Sequence, residues 1–176
     1  TSWKGQELLI EAINLVKIEL GYEAFHVVIL GSDQGRNLYK KKLIRITEQH
    51  RLTNQIKFID HCKDMALAYQ VSDIVISPSI EPEAFGRVAV EAQSMEKLII
   101  ASNIGGSNET IINEKTGFLF EAGDANSLSK KIIQAITMDE SSLKLMGKEG
   151  RKNVIKKFNV EKMCFSTYSE YKRLVN

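Results

Sequence analysis

A chain of 176 residues, 43% hydrophobic and 26% charged, has the size and composition of one domain with a core of its own. It carries no apolar run long enough to span a bilayer and opens on no signal peptide. Its 24 Lys and Arg stand against 22 Asp and Glu, a net charge of +2, which argues against a nucleic-acid partner.

Helical periodicity appears at once. Leu8, Leu9, Ala12, Ile13, Val16 and Leu20 form one apolar stripe, and Gly21 is a stop signal. Residues 26–30 are rich in β-branched side chains, end at Gly31 and read as a buried strand. The pattern then predicts a helix over 38–50, a strand over 56–59, a short helix over 65–71 and a strand over 74–77. A helix over 85–94, a strand over 98–101, a helical turn over 107–112 and a strand over 117–120 follow. Beyond Asp124 only helices are predicted. Leu128, Ile132, Ile133 and Ile136 mark one; Leu143, Leu145, Met146, Val154 and Ile155 another; residues 160–174 the last. Strands alternating with helices imply an α/β fold: a Rossmann-like three-layer α/β/α domain with a mainly parallel sheet covered on both faces and a helical C-terminal tail. Residues 1–176 form a single domain. Opening on Thr1 just before a helix, with no strand ahead, the chain reads as a fragment of a longer protein.

Cys62 and Cys164 and three scattered histidines lack metal-ligand spacing, so no metal is expected. The thiols fit a reducing, cytoplasmic compartment. The basic runs Lys40-Lys41-Lys42 and 148–157 read as solvated helix faces, with anionic lipid headgroups as the competing partner.

In a parallel sheet, ligands bind outside the carboxyl ends of the strands. The four loops there are Gly31-Ser32-Asp33-Gln34-Gly35, Asp60-His61-Cys62-Lys63-Asp64, residues 78–86 and Ser102-Asn103-Ile104-Gly105-Gly106. The third holds both prolines of the chain, Pro78 and Pro82. The helix predicted after it presents free backbone amides to an anion such as a diphosphate, and Gly86 permits close approach. Glu83 at its entrance and Glu91 eight residues on suit hydroxyl groups flanking that anion. Alternatively, Glu83 only complements the helix dipole and Glu91 is an exposed helix acid. Lys4 reaches the same edge as a phosphate-neutralising ammonium, or is a solvated terminal lysine.

The stretch Pro78-Ser79-Ile80-Glu81-Pro82-Glu83-Ala84-Phe85-Gly86-Arg87-Val88-Ala89-Val90-Glu91-Ala92 resembles the Glu-x7-Glu signature of glycosyltransferase family 4 (group 1) enzymes. Lys4-Gly5, Val28-Ile29-Leu30-Gly31, the segment 68–74, Gly105-Gly106 with Glu109, and Thr116-Gly117-Phe118 resemble other family segments, in the family's order. The resemblance covers nearly the whole chain, as the C-terminal half of a GT-B fold.

The resemblance implies a nucleoside-diphosphate sugar as donor substrate, no cofactor, and transfer with retention of anomeric configuration. The acceptor, a glycan or glycolipid of the cell envelope, would be bound by an N-terminal domain absent from this chain, at the cytoplasm or the inner membrane face. Glu83 and Lys4 would serve the reacting centre and the diphosphate. Amides around Ala84, Phe85, Gly86, Arg87 and Val88 would meet sugar and phosphates. Glu91 would bind ribose, Gly31 would admit the nucleotide, and Asp60 and His61 would lie near the base. An arginine the family places ahead of Lys4 would precede Thr1; because the acceptor-binding groups would lie mostly in the N-terminal domain, the fragment alone is expected to be nearly inactive. Two positions depart from the pattern: Glu96 stands where the family carries a helix-terminating glycine, and Asp60 where it carries glycine. Competing functions are a GT-B nucleotide-sugar epimerase, against which the Glu-x7-Glu spacing argues, a non-catalytic nucleotide-sugar-binding module, and an interaction domain with no ligand.

Overall fold

A computed structural model describes residues 1–21, 25–32, 35 and 37–175. Asp33 and Gln34 of the first candidate loop lie outside the described residues. A 3-10 turn at Ser2–Lys4 leads through Gly5 into α1 (Gln6–Leu20). Then follow β1 (Val27–Leu30), α2 (Asn37–Gln49), β2 (Ile56–Ile59), α3 (Met65–Val71), β3 (Ile74–Ser77) and α4 (Arg87–Ser94). The second half holds β4 (Leu98–Ser102), α5 (Ser107–Thr110), β5 (Phe118–Phe120), α6 (Ala125–Thr137), α7 (Glu140–Lys157) and α8 (Val160–Val175).

Local chemistry sets the helix ends. Gly21 closes α1 in the left-handed conformation, φ 63°, its amide donating to the Lys17 carbonyl. Asp64, Asp124 and Asp139 cap α3, α6 and α7, each carboxylate accepting from amides of the first turn. α4 starts at Arg87, two residues later than expected, because Gly86 takes up a left-handed conformation with φ 73° and ends the loop there.

All pairing between the named strands is parallel. Among the described residues the strands form two ladders rather than the single sheet expected: β1 with β2, and β3–β4–β5. One core joins them beneath α1, α2 and α6. Ile10, Ile13 and Val16 of α1 and Leu128 and Ile132 of α6 meet Ile56, Leu98, Ile100 and Phe118 there. Side chains alternate across β4. Leu98 and Ile100 face this core; Ile99 and Ala101 face a second one with Ala89, Ala92, Tyr69 and Ile111. The fold is therefore a three-layer α/β/α domain.

Two expectations on burial are corrected. β1 is not buried throughout: Val28 is 54% exposed, and Ile59 on the paired strand β2 is 47% exposed. α4 and α7 pack on the β3–β4–β5 side, so this face of the β1–β2 pair stays open. In α7, Leu145 and Ile155 are exposed. The buried positions are Met146, Gly147, Gly150, Asn153 and Val154, a stripe narrowed by glycine so that the helix lies close to its neighbours. α8 buries no residue.

Candidate functional site

The parallel register sends the carboxyl ends of the strands to one edge. The loop after β3 is pinned there by the start of the chain. Ile80 donates its amide to the Trp3 carbonyl at 2.8 Å. Gly5 lies so close to Pro78 that a Cβ would sit 1.8 Å from its carbonyl oxygen, and its φ of 71° also favours glycine. Docking the Ser2–Lys4 turn in this way delivers Lys4 to Glu83.

The Lys4 ammonium meets Glu83 Oε2 at 2.8 Å, and the buried Ser79 hydroxyl donates to Oε1 at 2.5 Å. Lys4 also lies 4.3 Å from the centre of the Trp3 ring, a cation–π contact. Burial pushes the Glu83 carboxyl up, but hydrogen bonds from Lys4 and Ser79 and the Lys4 charge outweigh it and hold the group below the usual carboxylate range. Glu83 is thus an ionised acid with both oxygens engaged.

Gly105 and Gly106 support the same loop from beneath. A Cβ on Gly105 would lie 2.6 Å from the Glu83 carbonyl oxygen, and one on Gly106 2.6 Å from the Phe85 carbonyl. The Gly106 amide donates to the Glu83 carbonyl at 2.8 Å. Only glycine lets the two loops approach this closely.

Ala84 and Phe85 are exposed, and the Phe85 ring rests edge-on against Phe158, centroids 5.6 Å apart. Arg87 and Val88 open α4, whose first amides have no partner within the helix. Glu91 follows on the same helix, one turn after Arg87, while Glu83 lies in the loop ahead of it, so their spacing is not the two helical turns expected. Glu91 Oε2 accepts a 2.8 Å hydrogen bond from the Tyr69 hydroxyl, while Oε1 stands 3.9 Å from Arg87 Nε. Burial, with the Glu91 hydrogen bond and charge, pushes the Tyr69 hydroxyl well up, so it remains a proton donor.

Gly31, Asp60 and His61 belong to the other ladder. The Gly31 amide donates to the Ile59 carbonyl at 2.9 Å, and its φ of 146° lies outside the range L-residues favour. The exposed Asp60 pairs with Lys40, and His61 is exposed. Beside them is a cavity of 80 Å³ lined by Thr1, Gln6, Gly31, Ser32, Lys40 and Asp60 among others. Lys42 pairs with Glu7 and Lys152 with Glu149, so both basic runs hold internal partners. The structure thus brings Lys4 to Glu83, and Arg87 to Glu91. It leaves Gly31 and Asp60 on a separate ladder of the same edge.

The sequence assigns no site role to Ser79 or Tyr69, and places Lys40 only in a solvated basic run. Ser79 lies four residues before Glu83, a spacing that could have suggested it. Tyr69 meets Glu91 across 22 residues and Lys40 meets Asp60 across 20, so only the fold reveals those pairs.

These features define a Rossmann-like domain whose ligand edge presents acids, a lysine and a helix N-terminus. The profile of the family "Glycosyl transferases group 1" matches residues 1–153, and the chain belongs to that family. The capsular polysaccharide biosynthesis glycosyltransferase CapM of Staphylococcus aureus is 30% identical over 156 residues, 89% of this chain and 39% of CapM. A glycosyltransferase from Rickettsia africae superposes with a TM-score of 0.92 at 34% identity, covering 100% of this chain and 46% of that one. Anabaena HepE, solved with UDP and glucose, superposes with a TM-score of 0.87 at 25% identity, covering 97% of this chain and 46% of that one. The chain therefore spans less than half the length of these three relatives.

Proposed function

We propose that this chain is the donor-binding, C-terminal half of a GT-B enzyme of glycosyltransferase family 4. The enzyme transfers a sugar from a nucleoside diphosphate to a glycan or lipid-linked acceptor with retention. The observation that carries this reading is the Lys4–Glu83–Ser79 cluster at the mouth of α4, with the Glu91 carboxylate farther along the same helix. UDP and glucose bound to HepE support a uridine nucleotide as the first donor to test.

Lys4 has three N–H donors, so it can hold Glu83 and still reach a phosphate oxygen. The ammonium and the first-turn amides of α4 would stabilise the charge developing on the departing nucleoside diphosphate. Glu83, kept ionised, would orient hydroxyls of the transferred sugar near the reacting carbon. Glu91 would bind the ribose, and Gly31, Asp60 and His61 would border the base. No metal or cofactor is invoked. The acceptor would be held by a second domain, leaving this chain alone able to bind donor but close to inactive. The free thiols Cys62 and Cys164 fit a cytoplasmic compartment.

Calorimetric titration with UDP, GDP and ADP tests this directly. One nucleotide should bind in preference to the others, and Glu91→Ala should weaken it about tenfold or more, the loss of a charge-assisted hydrogen bond. Undiminished binding by Glu91→Ala would show that the ribose lies elsewhere.

A further inference from the structure

We propose that Tyr69 is a positioning residue for donor recognition: it holds one oxygen of the Glu91 carboxylate and so presents the other to a ribose hydroxyl of a nucleoside diphosphate. The proposal rests on the assignment of Glu91 as the ribose-binding acid and adds a residue outside the Glu-x7-Glu stretch to that site.

A glutamate side chain on a helix surface samples several rotamers, and only some aim its carboxylate along the ligand edge. Glu91 is restrained. Its Oε2 accepts a hydrogen bond from the Tyr69 hydroxyl at 2.8 Å. The Tyr69 side chain cannot follow a swinging carboxylate, because it is buried in the second core among Ala89, Ala92, Ile99 and Ala101. Oε1 is left open: its nearest charged neighbour, Arg87 Nε, is 3.9 Å away, beyond hydrogen-bond reach, on a side chain 84% exposed. Glu91 itself is 42% exposed, so one oxygen is anchored in the core while the group still reaches solvent. Tyr69 also lies on α3, the element that directly follows the Asp60 loop and is capped by Asp64 through the Leu67 amide at 3.0 Å. The hydrogen bond thereby fixes the carboxylate of α4 relative to the loop at the end of β2.

The test is titration of the chain with UDP, 2′-deoxy-UDP and 3′-deoxy-UDP, in the wild type, Tyr69→Phe, Glu91→Gln and the double variant. The wild type should prefer UDP. Tyr69→Phe should cut that preference about threefold to tenfold, the effect of one hydrogen bond, and leave the weaker deoxy nucleotide's affinity unchanged. In the Glu91→Gln background, Tyr69→Phe should change nothing further. If Tyr69→Phe weakens all three nucleotides alike, the residue is structural and the proposal falls. If it keeps the full preference while Glu91→Gln loses it, the proposal falls and the ribose assignment stands. If Glu91→Gln keeps the preference, or the wild type has none, the ribose assignment fails and Tyr69 falls with it.

Discussion

The two strand ladders carry different halves of the candidate site on different foundations. β3–β4–β5 lies between two cores, and every residue of β4 is buried. β1–β2 is packed on one face only, with Val28 and Ile59 open on the other. Glu83 and Glu91 are mounted on the two-sided ladder and each is tied down by a buried side chain, Ser79 or Tyr69. Gly31 and Asp60 are mounted on the one-sided ladder, where the Lys40 partner of Asp60 is itself part-exposed. On the proposed reading, Glu83 must be aimed at the transferred sugar and Glu91 at the ribose, and both gain from a rigid mount. Gly31 and Asp60, proposed to border the base, can tolerate a softer one.

The sharpest way to break this contrast is to cut matching holes in the two ladders. Ile99→Ala removes a fully buried side chain from β4 and should cost about 2–5 kcal/mol. Val28→Ala on β1 removes a half-exposed one and should cost under about 1 kcal/mol. Chemical denaturation of both variants measures the difference. Equal losses would mean that the open face of β1–β2 is covered in solution.

Glycines offer a second comparison, of intermediate size. Gly106→Ala would drive a Cβ into the Phe85 backbone and should cost about 1–3 kcal/mol, while also displacing the loop that carries Glu83. Gly31→Ala meets no atom of the described residues within 4 Å, so backbone strain, roughly 1–3 kcal/mol, is what opposes it. Denaturation combined with nucleotide titration separates the two. Gly106→Ala should lose both stability and affinity, and an unchanged affinity would detach the Gly-Gly support from the site.

Acid should act on the two-sided ladder through Glu83. Its folded carboxyl is held below the ordinary value near 4.5, so its interactions with Lys4 and Ser79 stabilise the fold fully above that value. That contribution is lost as pH falls through the lower folded value. Denaturation midpoints between about pH 3 and pH 6 should therefore drop toward the acid end, and Lys4→Gln should flatten the slope. An unaltered slope would place the acid sensitivity in other carboxylates.

Much of this was legible in the sequence, and the rest was not, for physical reasons. Apolar runs such as residues 98–101 and punctuation such as Gly21 are local signals, and they gave element types and order. The entrance of α4 falls two residues later than the pattern predicts, because a glycine lowers helix propensity without saying on which side of it the helix begins. It is the left-handed Gly86, above the closely packed Gly105-Gly106 loop, that delays the start. The open face of β1 was missed since a run of apolar residues does not say whether a helix covers each side. Within the site, Glu83, Glu91 and Lys4 could be nominated from spacing and family resemblance. Of their anchors, Ser79 is local and its four-residue spacing from Glu83 could have suggested it, whereas Tyr69 depends on long-range packing that spacing does not encode.

The smallest expected effect concerns the margin of the two-sided ladder, where Glu96 replaces the glycine usual in the family. Glu96 has φ 57°, a left-handed conformation costing an L-residue about 1 kcal/mol or more. Its carbonyl is also the surface on which Gly147 of α7 packs, since a Cβ there would come within 2.0 Å of it. Glu96→Gly relieves the strain but gives up an ion pair with Arg151 at 3.8 Å, between half-exposed side chains and worth about 0–1 kcal/mol. Arg151 is anchored independently by its hydrogen bond to the Ser94 carbonyl, so α7 should stay in place. The extra freedom glycine gives the unfolded chain removes part of the gain. Glu96→Gly should therefore stabilise by roughly 0.5 kcal/mol. Glu96→Ala, which keeps the strain and loses the pair, should be neutral or slightly destabilising. Denaturation of the two variants side by side decides the matter. If alanine proves the more stable, the left-handed turn is not the strained element, and the Arg151 pair is not what offsets it.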